Sequence, residues 1–331
     1  MLKKTEPVGH IHDIIRDKAG PNHRVLCVTT SISEIKTLDE LLGCKVTHSP
    51  LMLNNACAVI IHGGGKAARK AQSASTALEL PLLYTDFGAL KSFRHKAHES
   101  LSMGFDHLGF AHDSSRETHL EGLIKTPLDA AQLERTEQII RQWKSTRASR
   151  CNHTTGPHLP GQKFVAVLAE PVNKGADFRA SAQATVGLCE QARQAYPGHE
   201  IVIVQAEDYA ADAISEAAAV FAHSSPVGFE ALLWGKRVHV SGMPFYAGWG
   251  LTDDRLPAPA RRSALEAGVA QLTYAYLVEY SRYVSPYDHK RLTVEEALTL
   301  LEKTRPDALA EAQQKAKQRA AAPRWLRWLM R

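Results

Sequence analysis

The residues of this 331-residue chain best suited to chemistry lie at 223–236: His223-Ser224-Ser225-Pro226-Val227-Gly228-Phe229-Glu230-Ala231-Leu232-Leu233-Trp234-Gly235-Lys236. The apolar run just before them, Val220 to Ala222, reads as a buried strand. The hydroxyls of Ser224 and Ser225 can cap a helix whose first turn accepts Pro226, and Gly235 closes it. A helix start of this kind presents backbone N–H groups that, with the hydroxyls, favour a phosphate or carboxylate. Glu230 stands one turn in, where a carboxylate can accept hydrogen bonds from a ribose diol, and Gly228 and Lys236 belong to the same candidate pocket. A capped helix without a ligand is the alternative. Phe245-Tyr246-Ala247-Gly248-Trp249-Gly250 then sets three aromatics among glycines, a composition that suits a loop closing over a sugar or base, with Tyr246 and Trp249 as contacts.

Alternating strands and helices must position these groups. Residues 24–30, 56–62, 81–84, 164–169 and 199–205 are short apolar runs separated by helical stretches, the spacing of parallel strands in βαβ units. Gly63-Gly64-Gly65-Lys66 follows one strand directly and precedes a helix over 67–78. It could cradle a phosphate or be a plain tight turn, and it is not a Walker loop. Residues 128–146 predict an amphipathic helix, and 149–162, with its histidines, glycines and prolines, an interdomain linker. The expected organisation is therefore α/β, with an N-terminal domain over 1–150, a second domain over 151–305 and a basic tail over 306–331.

Composition narrows the function classes. At 44% apolar residues the chain can bury the cores of two domains. A net charge of +5, spread along the sequence, suits anionic substrates or an acidic membrane surface, and no nucleic-acid-binding motif is present. Five cysteines without metal-type spacing predict thiols in a reducing, cytoplasmic setting and no metal site. No apolar run reaches membrane-spanning length, and the start of the sequence lacks the apolar core of a signal peptide.

Read together, Ser-Ser-X-X-Gly-Phe-Glu-Ala-Leu-Leu from Ser224 and Pro-Phe-Tyr-Ala-Gly-Trp-Gly-Leu-Thr-Asp-Asp up to Asp254 resemble the bacterial capsule-synthesis β-Kdo transferases. The resemblance runs over roughly 24–305 and corresponds to one catalytic module where many members carry two. It implies two Rossmann-like domains in a GT-B-like architecture, and transfer of Kdo with retention from CMP-Kdo to a lipid-linked or saccharide acceptor in capsule or lipopolysaccharide synthesis. No cofactor or metal is implied beyond that donor substrate. A catalytically inactive, nucleotide-binding or scaffolding relative is the second function class.

The resemblance also implies site residues, and the chain departs from the pattern at several. The family motif Glu-Asp-Gly-Phe-hydrophobic-Arg-Ser, whose glutamate looks like the acid/base, is Thr85-Asp86-Phe87-Gly88-Ala89-Leu90-Lys91-Ser92 here. Asp86 is then the titratable candidate at that strand end, with a helix or turn cap as the alternative. In the segment 109–121, Asp113, Arg116, Leu120 and Glu121 match the family. Asp177 is the nearest match to the aspartate thought to attack the anomeric carbon; it could equally cap the following helix. The family's Lys-X-His-Pro segment after the next strand is absent, and Lys174, Arg179, His223 and Lys236 are the groups nearby in sequence that could replace it. At the end, Trp325 and Trp328 stand among arginines, a mixture that suits an anionic bilayer interface and so peripheral attachment at the inner membrane; a partner-docking tail or a plain terminus fits the same composition.

Overall fold

The computed structural model describes residues 24–28, 32–49, 55–91, 100–170, 178–263 and 267–321. Asp177, Lys174, Trp325 and Trp328 lie outside them, as does the side chain of Arg179. The first half supplies β1 (Arg24–Cys27), α1 (Leu38–Leu42), β2 (Lys45–Thr47), β3 (Ala56–His62), α2 (Gly65–Leu78), β4 (Leu82–Phe87), β5 (Ser102–Asp106), α3 (His119–Ile124) and α4 (Ala130–Ser145). The second half begins with β6 (Phe164–Leu168), α5 (Phe178–Ala195), β7 (Glu200–Val204), α6 (Ala210–Glu216), β8 (Ala219–Ala222), α7 (Val227–Leu233) and β9 (Arg237–Val240). It continues through β10 (Asp253–Asp254), α8 (Ala260–Ser263), α9 (Val269–Thr273), a π-helical stretch (Tyr274–Tyr280), β11 (Ser281–Val284), β12 (Arg291–Leu292) and α10 (Val294–Ala321).

These elements form two sheets, a seven-stranded one in the order β12-β11-β5-β4-β3-β1-β2 and a five-stranded one in the order β10-β9-β8-β6-β7. All strands of the second sheet run parallel. In the first sheet β2, β1, β3 and β4 are parallel, and β5 is antiparallel to β4. The architecture is the two-domain, Rossmann-like α/β arrangement that the sequence predicts.

The central strands are buried on both faces, which is why they read as continuous apolar runs. In β3, Ala58 and Ile60 join Val25, Cys27 and Leu83 on one face, while Val59 and Ile61 pack with Leu26 and Ala71 of α2 on the other. In β6, Phe164, Ala166 and Leu168 face the largest core, and Val165 and Val167 meet Leu188, Cys189 and Ala192 of α5. Helix α4 starts at a capping box, with the Asp129 carboxylate accepting from the Gln132 amide and the Gln132 side chain accepting from the Asp129 amide.

Two expectations are corrected. Residues 281–292, assigned from sequence to the second domain, return to the first sheet: β11 pairs antiparallel with β5, and β12 with β11. The chain therefore crosses between the sheets a second time after the π-helical stretch. The basic tail expected from residue 306 is, as far as Ala321, the continuation of α10, a single helix that runs through Pro306. It is fastened to α4 by a bidentate Arg135–Glu295 pair (2.8 and 3.2 Å) and by Gln142, which donates to the Glu295 carbonyl at 3.0 Å.

Candidate active site

The side chains with titratable chemistry gather where the C-terminal end of β4 meets the segment joining α4 to β6. Ligands bind in this region of an open parallel sheet, beyond the carboxyl ends of the strands. Residues of β4 alternate faces, so Tyr84 and Asp86 point the same way while Thr85 points oppositely. The returning segment after β5 follows the same spacing. Phe110 packs edge-on against Tyr84 (5.1 Å between centroids), and two residues later the His112 Nδ1 lies 3.4 Å from the Asp86 Oδ2. The His112 ring also stacks on Phe110.

Both members of this pair are reachable by solvent, with side-chain exposures of 55% for His112 and 42% for Asp86. Burial pushes the Asp86 carboxyl upward, but the His112 hydrogen bond and the positive charges of Arg150, His112 and His62 outweigh it and hold it at about 2. In turn the Asp86 carboxylate raises the His112 imidazolium above its ordinary value, against a smaller opposing effect of burial. Asp86, the sequence candidate for proton transfer, is thus a fixed anion at neutral pH. His112, in the segment where Asp113, Arg116, Leu120 and Glu121 match the family pattern, lies beside it and can gain and lose a proton.

Thr85 points into the sheet, and its hydroxyl donates to the Gly104 carbonyl at 2.8 Å. Arg150 comes from the linker, donating through Nη1 to the Gly88 carbonyl at 3.0 Å and through its amide to the Glu230 Oε1 at 2.8 Å. The second Glu230 oxygen accepts from the Ser149 hydroxyl at 2.7 Å. Glu230 is 2% exposed, and burial, offset in part by Ser149 and Arg150, raises its carboxyl to about 7. It clamps α7 to the linker with both oxygens engaged and the carboxylate buried, so it is corrected from a pocket-lining contact for a ribose diol to an interior one.

The remaining expected donor contacts separate into two groups. Ser224 stays at the surface beyond β8, where its amide and hydroxyl bind the Glu170 carboxylate at 2.9 and 2.7 Å. Ser225 is buried; its hydroxyl accepts from the Val227 amide at 3.4 Å, and its carbonyl accepts from the Tyr246 hydroxyl at 2.7 Å. Tyr246 and Trp249 are corrected from lid residues to core residues, at 0% and 1% exposure. The Trp249 indole donates to the Phe245 carbonyl, and a Cβ on Gly228 would lie 2.1 Å from the Tyr246 hydroxyl. Aromatics among glycines here mean close packing, since small residues let the rings approach the backbone. Lys236 is turned away, its ammonium donating to the Ser215 carbonyl at 2.8 Å at the end of α6.

A second charged cluster joins the halves of the molecule behind this edge. Glu121 on α3 accepts from Arg261 and from the fully buried Arg262, which also donates to the Pro244 and Ala247 carbonyls under the aromatic loop. Among the described residues no group of three or more histidines, cysteines or carboxylates could hold a metal ion, and no helix is long and apolar enough to cross a membrane.

Residues 183–283 match the family described as capsule polysaccharide biosynthesis protein, and the resemblance to the capsule-synthesis β-Kdo transferase family holds. Among curated relatives, the capsule polysaccharide modification protein LipA of Neisseria meningitidis serogroup B is 47% identical over 78 residues, 24% of this chain and 11% of that protein. The lipopolysaccharide-processing protein LpsZ of Rhizobium meliloti is 47% identical over 64 residues, 19% of this chain and 14% of that protein. The matched stretch therefore spans a small part of those longer relatives. Among solved structures, the KpsC β-Kdo 2,4 transferase of Thermosulfurimonas dismutans superposes with a TM-score of 0.73 at 22% identity, over 86% of this chain and 99% of that one. The KpsC β-Kdo 2,7 transferase of the same organism superposes with a TM-score of 0.62 at 22% identity, over 85% and 99%. The GT-B-like, two-domain fold is shared with both.

Proposed function

We propose that this protein is a retaining glycosyltransferase that moves Kdo from CMP-Kdo to a lipid-linked or saccharide acceptor in capsule or lipopolysaccharide synthesis. The observation that carries the reading is the capsule-family segment at 183–283, whose signature begins with Ser224 just beyond β8, on a fold that β-Kdo transferases share. Ser224, already engaging a carboxylate through amide and hydroxyl, is the contact best suited to the single phosphate of CMP. Asp177 is the nucleophile in this reading, attacking the anomeric carbon before the acceptor hydroxyl displaces it. The acceptor's lipid brings the protein to an anionic membrane surface, with Trp325 and Trp328 as the contact.

The test is CMP release from CMP-Kdo, with a Kdo-bearing lipid acceptor, by the wild type and by Asp177→Ala, alongside CMP binding to both. Turnover that is lost in the variant while CMP binding persists is the expected result. A second reading, an inactive nucleotide-binding or scaffolding subunit, is favoured by one observation: the Glu170 carboxylate rests on Ser224. CMP binding by the wild type without turnover on any acceptor supports that alternative, and no CMP binding overturns both.

A further inference from the structure

We propose that His112 is the group that takes the proton of the acceptor hydroxyl, with Asp86 as a positioning residue that orients the ring through Nδ1. The inference deepens the transferase reading and rests on it. It follows from geometry at the end of β4, where Thr85, His62, Glu230 and Lys91, among the described residues, are committed to other partners. The Thr85 hydroxyl donates to the Gly104 carbonyl, and the buried His62 places its Nδ1 against the Thr85 carbonyl. Glu230 has both oxygens engaged by Ser149 and Arg150, and Lys91 pairs with Glu207 at 3.6 Å. His112 remains, half exposed, stacked on Phe110 and paired at 3.4 Å with Asp86.

The pairing fixes the chemistry of the ring. An Nδ1–H held against the Asp86 carboxylate puts the lone pair on Nε2, the arrangement in which a carboxylate orients a histidine base. In the step assigned to it, the acceptor oxygen forms a bond to the anomeric carbon as the bond from that carbon to the departing oxygen breaks. The departing oxygen keeps that electron pair, and the hydroxyl proton passes to Nε2. The resulting imidazolium stays against Asp86 and returns its proton to solvent. Asp86 on β4 and Asp113 favour the protonated form, while Arg150 from the linker and His62 from β3 act electrostatically on Asp86. Arg116 pairs with Asp113 at 3.2 Å and weakens its contribution.

Two measurements on the full chain test this separately. The first follows the His112 ring resonances against pH by NMR in the wild type and in Asp86→Asn. The wild-type midpoint is expected above that of a free imidazole and to fall in the variant, where the carboxylate that raises it is gone; an unchanged midpoint overturns the pairing. The second is Kdo transfer from CMP-Kdo to a Kdo-bearing acceptor. His112→Ala is expected to lower kcat about 100-fold with CMP affinity unchanged and with partial recovery on adding free imidazole. The acidic limb of the wild-type rate profile is expected to move to lower pH in Asp86→Asn. A wild type that turns over beside a His112→Ala variant of equal kcat overturns the role of His112 alone. A wild type that turns over no acceptor overturns the transferase reading and this role with it, and the NMR midpoint still decides the pairing.

Discussion

The Glu121 carboxylate and the Arg262 guanidinium meet at 2.6 Å with exposures of 1% and 0%, joining α3 beside the first sheet to α8, which follows β10 of the second. Arg261 donates to the same carboxylate, and Arg262 also reaches the Pro244 and Ala247 carbonyls. Removing Glu121 leaves the buried Arg262 charge without its carboxylate, a loss of about 3–5 kcal/mol, and removing Arg262 leaves the buried Glu121 with Arg261 alone. Glu121→Ala and Arg262→Ala are therefore each expected to unfold at markedly lower denaturant, whereas an apolar replacement of both partners together loses less than the two single losses combined. Urea unfolding of the two single variants and the double variant measures the coupling. Additive losses would show that the two groups do not act as a pair.

Glu230 gives the molecule a pH dependence with a definite sign. Its carboxyl is raised from 4.5 to about 7, chiefly by burial. Between those values the folded protein keeps a proton that the unfolded chain has already lost, so stability falls as pH rises through the window and levels off above it. Burial is nearly complete, so the shift corresponds to roughly 3 kcal/mol at most. Glu230→Gln is expected to flatten this part of the stability curve and to leave Ser149 and Arg150 with an acceptor. Denaturation at about pH 5 and about pH 8 reads the slope directly, and equal slopes in wild type and variant would assign it to another group.

Gly228 and Tyr246 form a contact that tolerates no side chain. A Cβ at 228 would stand 2.1 Å from the Tyr246 hydroxyl and 2.6 Å from the ring carbon that bears it, and the ring is fully buried. Gly228→Ala is expected to destabilise by about 1–3 kcal/mol through overpacking. Tyr246→Phe, which gives up the hydrogen bond to the Ser225 carbonyl, costs about 1 kcal/mol by itself. Combined with Gly228→Ala it recovers part of the overpacking loss, because the closest atom is gone. A thermal melt of the three variants distinguishes this packing role from a ligand role, which predicts unchanged melting in the absence of CMP.

What the sequence made legible was local. Strands β3 and β6 stand out because burial on both faces demands unbroken apolar runs, and α4 because its cap and its apolar stripe lie within one segment. Long-range pairing carried no such signal. Nothing near Glu230 indicated that Ser149, 81 residues away, would occupy its carboxylate, or that β11 would return to pair with β5. The aromatic loop misled for a chemical reason: glycines beside rings serve a mobile lid and a tightly packed core equally well. His112 left only an indirect trace, since the motif 85–92 stands without its glutamate and the segment 109–121 that carries His112 was singled out for other residues. Only the alternation along β4 and the returning segment brought it to Asp86.

Glu170 and Ser224 set up a competition that binding measurements can resolve. The Glu170 carboxylate accepts from the Ser224 amide at 2.9 Å and its hydroxyl at 2.7 Å, the donors that the proposed reading assigns to a phosphate. Two anions cannot share those donors, so CMP must displace the carboxylate, and the displaced charge then lies close to the phosphate. Glu170→Gln removes the charge and keeps the size of the side chain, and CMP affinity is expected to rise on the order of tenfold. Ser224→Ala removes one donor and is expected to weaken CMP by about 1 kcal/mol. Isothermal titration of CMP into the wild type and both variants, at one ionic strength, gives the comparison. Should Glu170→Gln bind CMP no more tightly than the wild type, the phosphate is held elsewhere, and the Glu170–Ser224 contact serves only to fasten the end of β6 to the start of α7.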